Sequence, residues 1–174
     1  INLPLEINFQ INNMISTLKS LLHNDGSISL FNGSNNANIK SIKKIINLKK
    51  NIKSKKIHRI NNGLVIFKNK NLKIFLDVVK PTNKLINKNL HSGTLSFELS
   101  YKKEKIITNC GSIEKRIGRK PEFLRYSAAH STIVLNNTNI SELVAKKSYS
   151  RVPKNVVFES DENSDELIWI TMHD

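Results

Sequence analysis

Apolar residues in the first part of the chain recur at the spacing of one helix face. Such spacing is typical of an amphipathic helix that packs one side against a core. The apolar positions are Ile7, Ile11, Met14, Ile15, Leu18, Leu21 and Leu22. We therefore predict a helix over Ile7–Leu22 that ends at Asp25-Gly26, because glycine is favoured just past a helix end.

A second helical pattern covers Ile39–Ile57, where isoleucines mark one face and lysines fill most of the remainder. The stretch between Asp25 and Asp77 contains no acidic residue. This pattern suits either a surface that binds a polyanion or a solvated linker helix in a lysine-rich chain. The charges alone do not separate the two interpretations.

After Gly63 the apolar period changes to two, which is the repeat of strands with one buried face. The predicted strands are Leu64–Phe67, Leu72–Val79, Thr94–Tyr101, Lys105–Thr108, Thr132–Leu135, Val156–Glu159 and Leu167–Thr171. The Asn69-Lys70-Asn71 segment between the first two strands indicates a hairpin. Repeated strands without long intervening helices predict a mainly β fold, an antiparallel β-sandwich preceded by one or two helices.

The predicted strand Thr94–Tyr101 alternates strictly between apolar residues and the polar residues Ser96, Glu98 and Ser100. We interpret Glu98 as a structural residue on the polar face, with a lysine as its expected partner.

The amino-acid composition weakens any functional inference from the net positive charge. The chain has 174 residues and a net charge of +14, but lysine (23), isoleucine (23) and asparagine (24) together fill 70 positions. This skew is typical of a biased genome, and only five of the 28 basic residues are arginine. Proteins that read nucleic acids depend on arginine and on interleaved aromatic residues. We therefore expect no nucleic-acid partner.

The single cysteine, Cys110, excludes an internal disulfide framework and a zinc site built from several thiolates. No apolar run approaches the ~18 residues that a membrane-spanning helix needs. The sequence begins INLPLE, without Met, and ends soon after the predicted strand that contains Trp169. We expect a fragment that is truncated at both ends, and an N-terminal signal could have been removed.

Three polar residues lie where predicted strands begin or end: His91 and His130 each precede a strand, and Asn109 follows one. If these strands are neighbours, the three side chains converge on one rim of the sheet, where imidazoles could hold a metal. The spacing matches no compact metal motif. The alternative, in which each histidine caps a strand end or bonds to the backbone, stays open. The remaining histidines, which we treat as incidental, are His23, His58 and His173.

Three segments together resemble the heparinase II/III family of polysaccharide lyases: residues 91–100 (HSGTLSFELS), 107–111 (ITNCG) and 128–132 (AAHST). Members of that family join an α/α-toroid to a C-terminal antiparallel β-sandwich. Their sandwich carries a His-x-His-x-Asp-x-x-Ser-Phe segment, an Asp-x-Gly turn and an Ala-His-Asn-Thr segment, in this order. The resemblance implies the end of a toroid in residues 1–35, a Lys-rich helical linker in 36–60 and an incomplete sandwich in 61–174.

The resemblance also implies roles for single residues. The two metal-binding histidines of the family fall on His91 and His130, and the aspartate of the turn falls on Asn109, which implies a structural zinc site at these positions. The first histidine of the motif, catalytic in some members, falls on Asn89, and the aspartate of the motif falls on Gly93. Asn89, Gly93 and Asn109 thus depart from the strict pattern.

The implied reaction is β-elimination at a uronic acid. A base removes the C5 proton, a neutralised carboxylate stabilises the intermediate, and an acid protonates the leaving oxygen. In the family the base and the acid come largely from the toroid, so the sandwich is expected to form one wall of the cleft. His91 would orient or neutralise the substrate, Asn89 would hydrogen-bond it, and Arg125 would pair with a carboxylate. A surface ion pair between Arg125 and Glu122 is the alternative.

An acidic polysaccharide is therefore the implied partner, and the bacterial periplasm or cell envelope is the implied location. The three departures from the family pattern favour a second hypothesis, a sandwich that has lost catalysis and binds glycan or has a structural role in the cell envelope.

Overall fold

The computed structural model describes residues 4–49, 51, 57–60, 63–79, 90–112, 122–144, 148–159 and 169–173. The helices are α1 (Leu5–Ser20) and α2 (Ile39–Asn47), and short 3-10 turns cover Glu122–Arg125 and Ser127–Ala129. The strands are β1 (Ile57–Ile60), β2 (Leu64–Lys68), β3 (Leu72–Asp77), β4 (Phe97–Tyr101), β5 (Glu104–Ile107), β6 (Glu142–Val144), β7 (Ser148–Arg151), β8 (Asn155–Glu159) and β9 (Trp169–His173).

The second predicted helix is shorter than expected. Helix α2 begins after Asn38, whose side chain accepts a hydrogen bond from the N–H of Lys40 at 2.9 Å, as N-cap residues do. It ends at Asn47, and the isoleucine at position 57 already belongs to strand β1. The helical extension to Ile57 was therefore wrong, because pairing of β1 with β2 prevails over the local helical pattern.

Five strands form one antiparallel sheet in the order β1-β2-β3-β4-β5. The predicted hairpin between β2 and β3 is confirmed. Its turn is closed by the side chain of Asn69, which accepts hydrogen bonds from the N–H groups of Asn71 and Leu72 at 3.0 and 2.7 Å. This local bonding is the reason that asparagine favours turns.

The sheet has two covered faces. On the first face, Ile66 and Phe75 pack with Phe31, so the segment that follows α1 lies over the sheet. On the second face, Val65 and Leu76 pack with neighbours that include Val156 of β8. The strands β8 and β9, like β6 and β7, pair as a two-stranded antiparallel ribbon. The predicted fold class, a mainly β antiparallel sandwich preceded by helices, is confirmed.

The predicted strand Thr132–Leu135 is wrong. Leu135 forms only an isolated bridge with Thr138, and the two residues between them, Asn136 and Asn137, have φ angles of 49° and 56°. Residues 132–134 belong to no strand, and the chain makes a tight turn directly after Leu135, because asparagine tolerates this left-handed region. No helix among the described residues is long and apolar enough to cross a membrane.

Gly63 is expected to be intolerant of a side chain. Its φ angle is +87°, and a Cβ atom would lie 2.7 Å from Cα of Val79. We expect Gly63→Ala to lower the free energy of unfolding by about 2 kcal/mol or more, because backbone strain and a backbone clash add together.

Urea denaturation would measure this loss, and Gly26→Ala provides the matched control. Gly26 has nearly the same φ angle, +89°, but a Cβ atom there would meet only side-chain atoms at 3.8 Å or more. The control isolates the strain, so equal losses in the two variants would contradict a clash at Gly63.

Candidate functional site

The candidate site lies beside β4 and β5, where the loops that contain His91, Asn109 and His130 meet. Hydrogen bonds of short side chains and of the main chain connect these loops. Ser92 donates its N–H to the carbonyl of Arg125 at 2.8 Å, and Ser127 Oγ donates to the carbonyl of Ser92 at 2.8 Å. Thr132 Oγ1 donates to the carbonyl of Thr94 at 2.7 Å. These serine and threonine hydroxyls satisfy main-chain groups in place of the ladder of a regular strand.

His91 and His130, 39 residues apart in the sequence, lie side by side. Their ring centroids are 5.3 Å apart and their planes are inclined by 56°. His91 is buried, with 8% of its surface exposed, and His130 is partly buried. The pair therefore sits just beneath the surface instead of on an open rim. Burial lowers the pKa of His130, and a hydrogen bond to the Leu124 carbonyl opposes this effect.

Asn109 joins this pair at the end of β5. Its Oδ1 lies 3.3 Å from Nδ1 of His130 and 3.2 Å from the N–H of Ser131. Its own N–H donates to Oε1 of Glu98 at 2.9 Å. The structure thus brings together all three predicted metal ligands, His91, Asn109 and His130.

The sequence did not predict the partners of Glu98. It is fully buried, and its Oε2 lies 2.7 Å from Nε2 of His23, which is also buried. Its Oε1 accepts from the N–H of Leu30 at 3.1 Å and from Oγ1 of Thr108 at 3.2 Å. The expected lysine partner was wrong, and His23 is not incidental.

A second buried carboxyl supports the main chain at His91. Asn32 Oδ1 accepts a hydrogen bond from the N–H of His91 at 3.1 Å, and the side chain of Asn32 also bonds to the carboxyl group of Asp77. Burial raises the pKa of Asp77 to about 7, although hydrogen bonds from Val79 and Asn32 act against this rise. Asn32 adopts a φ angle of 53°, a conformation that asparagine accepts more readily than most residues.

Arg125 contacts the main chain next to His91. Its Nε and Nη2 donate to the carbonyl of Leu90 at 3.2 and 3.0 Å. The guanidinium therefore holds the residue that precedes His91, a use that the sequence did not indicate. Asn89 lies outside the described residues, and its predicted contact with substrate stays a prediction.

The three predicted ligands fit zinc poorly. Zinc sites in proteins use thiolates, imidazoles and carboxylates, whereas Asn109 offers a neutral amide oxygen that already lies within hydrogen-bond distance of the N–H of Ser131 and of Nδ1 of His130. Within the described ranges, no group of three His, Cys, Asp or Glu side chains is placed to hold a metal ion.

Solved structures with a similar fold include a heparinase III and a heparan sulfate lyase. The heparinase III superposes with a TM-score of 0.62 at 11% sequence identity, over 79% of this chain and 28% of that chain. The heparan sulfate lyase HepC from Pedobacter heparinus gives a TM-score of 0.60 at 18% identity, over 92% of this chain and 28% of that chain. The present chain therefore spans little more than a quarter of each of these proteins.

A comparison with curated protein sequences found no match. The family model described as heparinase II/III-like, C-terminal matches residues 57–174, which is more than half of the chain. On this evidence the chain belongs to the heparinase II/III-like family, through its C-terminal domain.

Proposed function

We propose that the chain is part of a polysaccharide lyase that cleaves an acidic, uronate-containing polysaccharide by β-elimination. One observation carries the proposal: in a domain of this family, His91 and His130 lie within 5.3 Å of each other where three loops meet. The similar solved structures include a heparan sulfate lyase. The net charge of +14 also suits an anionic substrate.

In this proposal the domain forms one wall of a cleft, and His91 is the residue that acts on the substrate. Elimination transfers the C5 proton to a base, forms the C4–C5 double bond and breaks the bond between C4 and the leaving oxygen, which gains a proton. A hydrogen bond from His91 to the substrate carboxylate would stabilise the charge that develops in this step. Arg125 would position His91 through Leu90, and its predicted pairing with a substrate carboxylate stays a prediction.

The base and the leaving-group acid would come from the rest of the toroid, which would pack on α1. The exposed surface of α1 supports this arrangement, because Leu5 and Phe9, one helical turn apart on the same side, are 88% and 61% exposed. Adjacent exposed apolar side chains are typical of a surface that another element covers. We propose the periplasm or the cell envelope as the location, because an enzyme there would encounter such polysaccharides.

We expect His91→Ala, in the proposed parent lyase, to lower kcat/KM by about 100-fold, as the loss of one charge-stabilising donor does elsewhere. The near-ultraviolet absorbance of unsaturated uronate ends would follow the reaction over a panel of uronate polymers. His58→Ala, on strand β1, is the matched control and should leave the rate unchanged. A rate that His91→Ala does not alter would contradict the role of His91.

A glycan-binding domain without catalysis is the second candidate. The departures at Asn109 and Gly93 and the burial of His91 favour it. Affinity electrophoresis of the present chain in gels that contain uronate polymers would detect such binding. Retardation, together with no unsaturated products from the parent protein on any polymer, would select this candidate over the lyase.

A further inference from the structure

The hydrogen bonds of Asn109 define which way its amide points. Its side chain is 2% exposed, and one terminal atom faces the N–H of Ser131 at 3.2 Å. A main-chain N–H can only donate, so this atom is the oxygen. The amide nitrogen then faces Oε1 of Glu98 at 3.4 Å, where a carboxylate can only accept. Both neighbours require the same orientation.

This orientation also determines the state of His130. Nδ1 of His130 lies 3.3 Å from the same amide oxygen, so Nδ1 carries the hydrogen of this contact. The oxygen then accepts from two N–H groups and has no lone pair left for a cation. In this arrangement Oδ1 of Asn109 is saturated and cannot be a metal ligand, whereas Nε2 of His130 has no hydrogen-bond partner among the described residues.

Gly93 fits the same arrangement. A Cβ atom at this position would lie 3.2 Å from Cγ and 3.4 Å from Cδ2 of His130, which is tighter than an ordinary contact. A side chain at position 93 would therefore require the imidazole of His130 to shift by a few tenths of an ångström. The glycine at position 93 and the amide at position 109 are thus both compatible with the observed position of the His130 ring.

Among the described residues, no third His, Cys, Asp or Glu lies with His91 and His130 to complete a metal site. Cys110 is exposed, and Glu98 is engaged with His23, Leu30 and the turn after β5. Residues 80–89, which precede His91 in the sequence, include no His, Cys, Asp or Glu.

We propose that the amide of Asn109 takes the place of a metal ion in this domain, and that its hydrogen bonds tie the His130 turn to the end of β5. The cluster of His91, Asn109 and His130 is then metal-independent, and its stability does not depend on zinc. These contacts belong to the chain itself, so they do not depend on whether the parent protein is a lyase.

Metal analysis of the purified chain after exposure to zinc and removal of excess metal tests the proposal. We expect no stoichiometric zinc, and the same thermal unfolding midpoint in zinc and in chelator. Asn109→Asp supplies a carboxylate beside the two imidazoles and should gain about one zinc per chain, with a midpoint that rises in zinc. Asn155→Asp, which adds the same charge at an exposed position of β8, is the matched control and should gain none.

Two results would overturn the proposal. The first is stoichiometric zinc in the unaltered chain that His91→Ala or His130→Ala removes. The second is an Asn109→Asp variant that folds and still takes up no zinc, because Asn109 would then not be what excludes the metal. If the variant does not fold, the measurements on the unaltered chain decide the question alone.

Discussion

Replacement of Glu98 by alanine is expected to cost ~3–5 kcal/mol, a large part of the 5–15 kcal/mol that stabilises a typical domain. The carboxylate is fully buried, and its two oxygens serve His23, Leu30, Thr108 and Asn109. Alanine would leave the buried polar groups of His23, Leu30 and Asn109 without this partner, and such unsatisfied groups are costly. Glu98→Gln should cost less, because an amide oxygen can keep the contacts made by Oε1.

Urea denaturation of the two variants would measure the losses, with Glu142→Ala as the control. Glu142 is partly exposed and lies 3.8 Å from Arg151, and such surface pairs contribute about 0–1 kcal/mol. A double-mutant cycle with His23→Ala would isolate the pair itself. If Glu98→Ala cost no more than Glu142→Ala, the buried network would not contribute to stability.

The second large effect concerns pH. Because burial raises the pKa of Asp77 from 3.8 to about 7, the folded chain holds a proton that the unfolded chain releases between these values. This contribution to stability is complete below pH 3.8 and is lost as the pH rises towards 7. Asp77→Asn carries no such charge and keeps an oxygen for the N–H of Val79. Its stability relative to the unaltered chain should therefore increase by as much as about 4 kcal/mol between pH 4 and pH 7.

Denaturation of both proteins across this pH range would test the expectation, and Lys73→Met serves as the control. Burial lowers the pKa of Lys73 from 10.5 to about 7, so this group alters the slope of stability only above pH 7. A stability difference between Asp77→Asn and the unaltered chain that stays constant from pH 4 to pH 7 would show that the carboxyl group is ionised in the folded chain.

The residues responsible for the expected losses at Glu98 and for the pH dependence at Asp77 lie on the same face of the sheet. Lys73, Asp77 and Glu98 lie on the sheet face that the segment after α1 covers, and all three are at most 3% exposed. The side chains of His23 and Asn32, on that segment, meet this polar face. The segment after α1 also supports the candidate site. His23 on this segment contacts Glu98, which bonds to Asn109, and Asn32 on this segment bonds to the N–H of His91.

Much of the local structure could be read from the sequence. The apolar repeat of Ile7–Leu22 corresponds to α1, and the Asn69 turn joins two strands whose bounds move by only one or two residues. The motifs around His91, Asn109 and His130 indicated the family and the fold. These features depend on side-chain periodicity and turn chemistry, which act over a few residues and are therefore written directly in the sequence.

The tertiary structure alone decided which face of β4 is buried against polar partners. Alternation showed that Glu98 and Ser100 share a face, but a polar face is exposed in most sheets, and nothing local to Glu98 indicated His23, 75 residues earlier. The end of α2 likewise depended on a contact beyond the local pattern, the pairing of β1 with β2. Whether a buried charge is tolerated depends on partners that come together only when the chain folds, because the cost of removing a charge from water is offset by those contacts and not by its sequence neighbours.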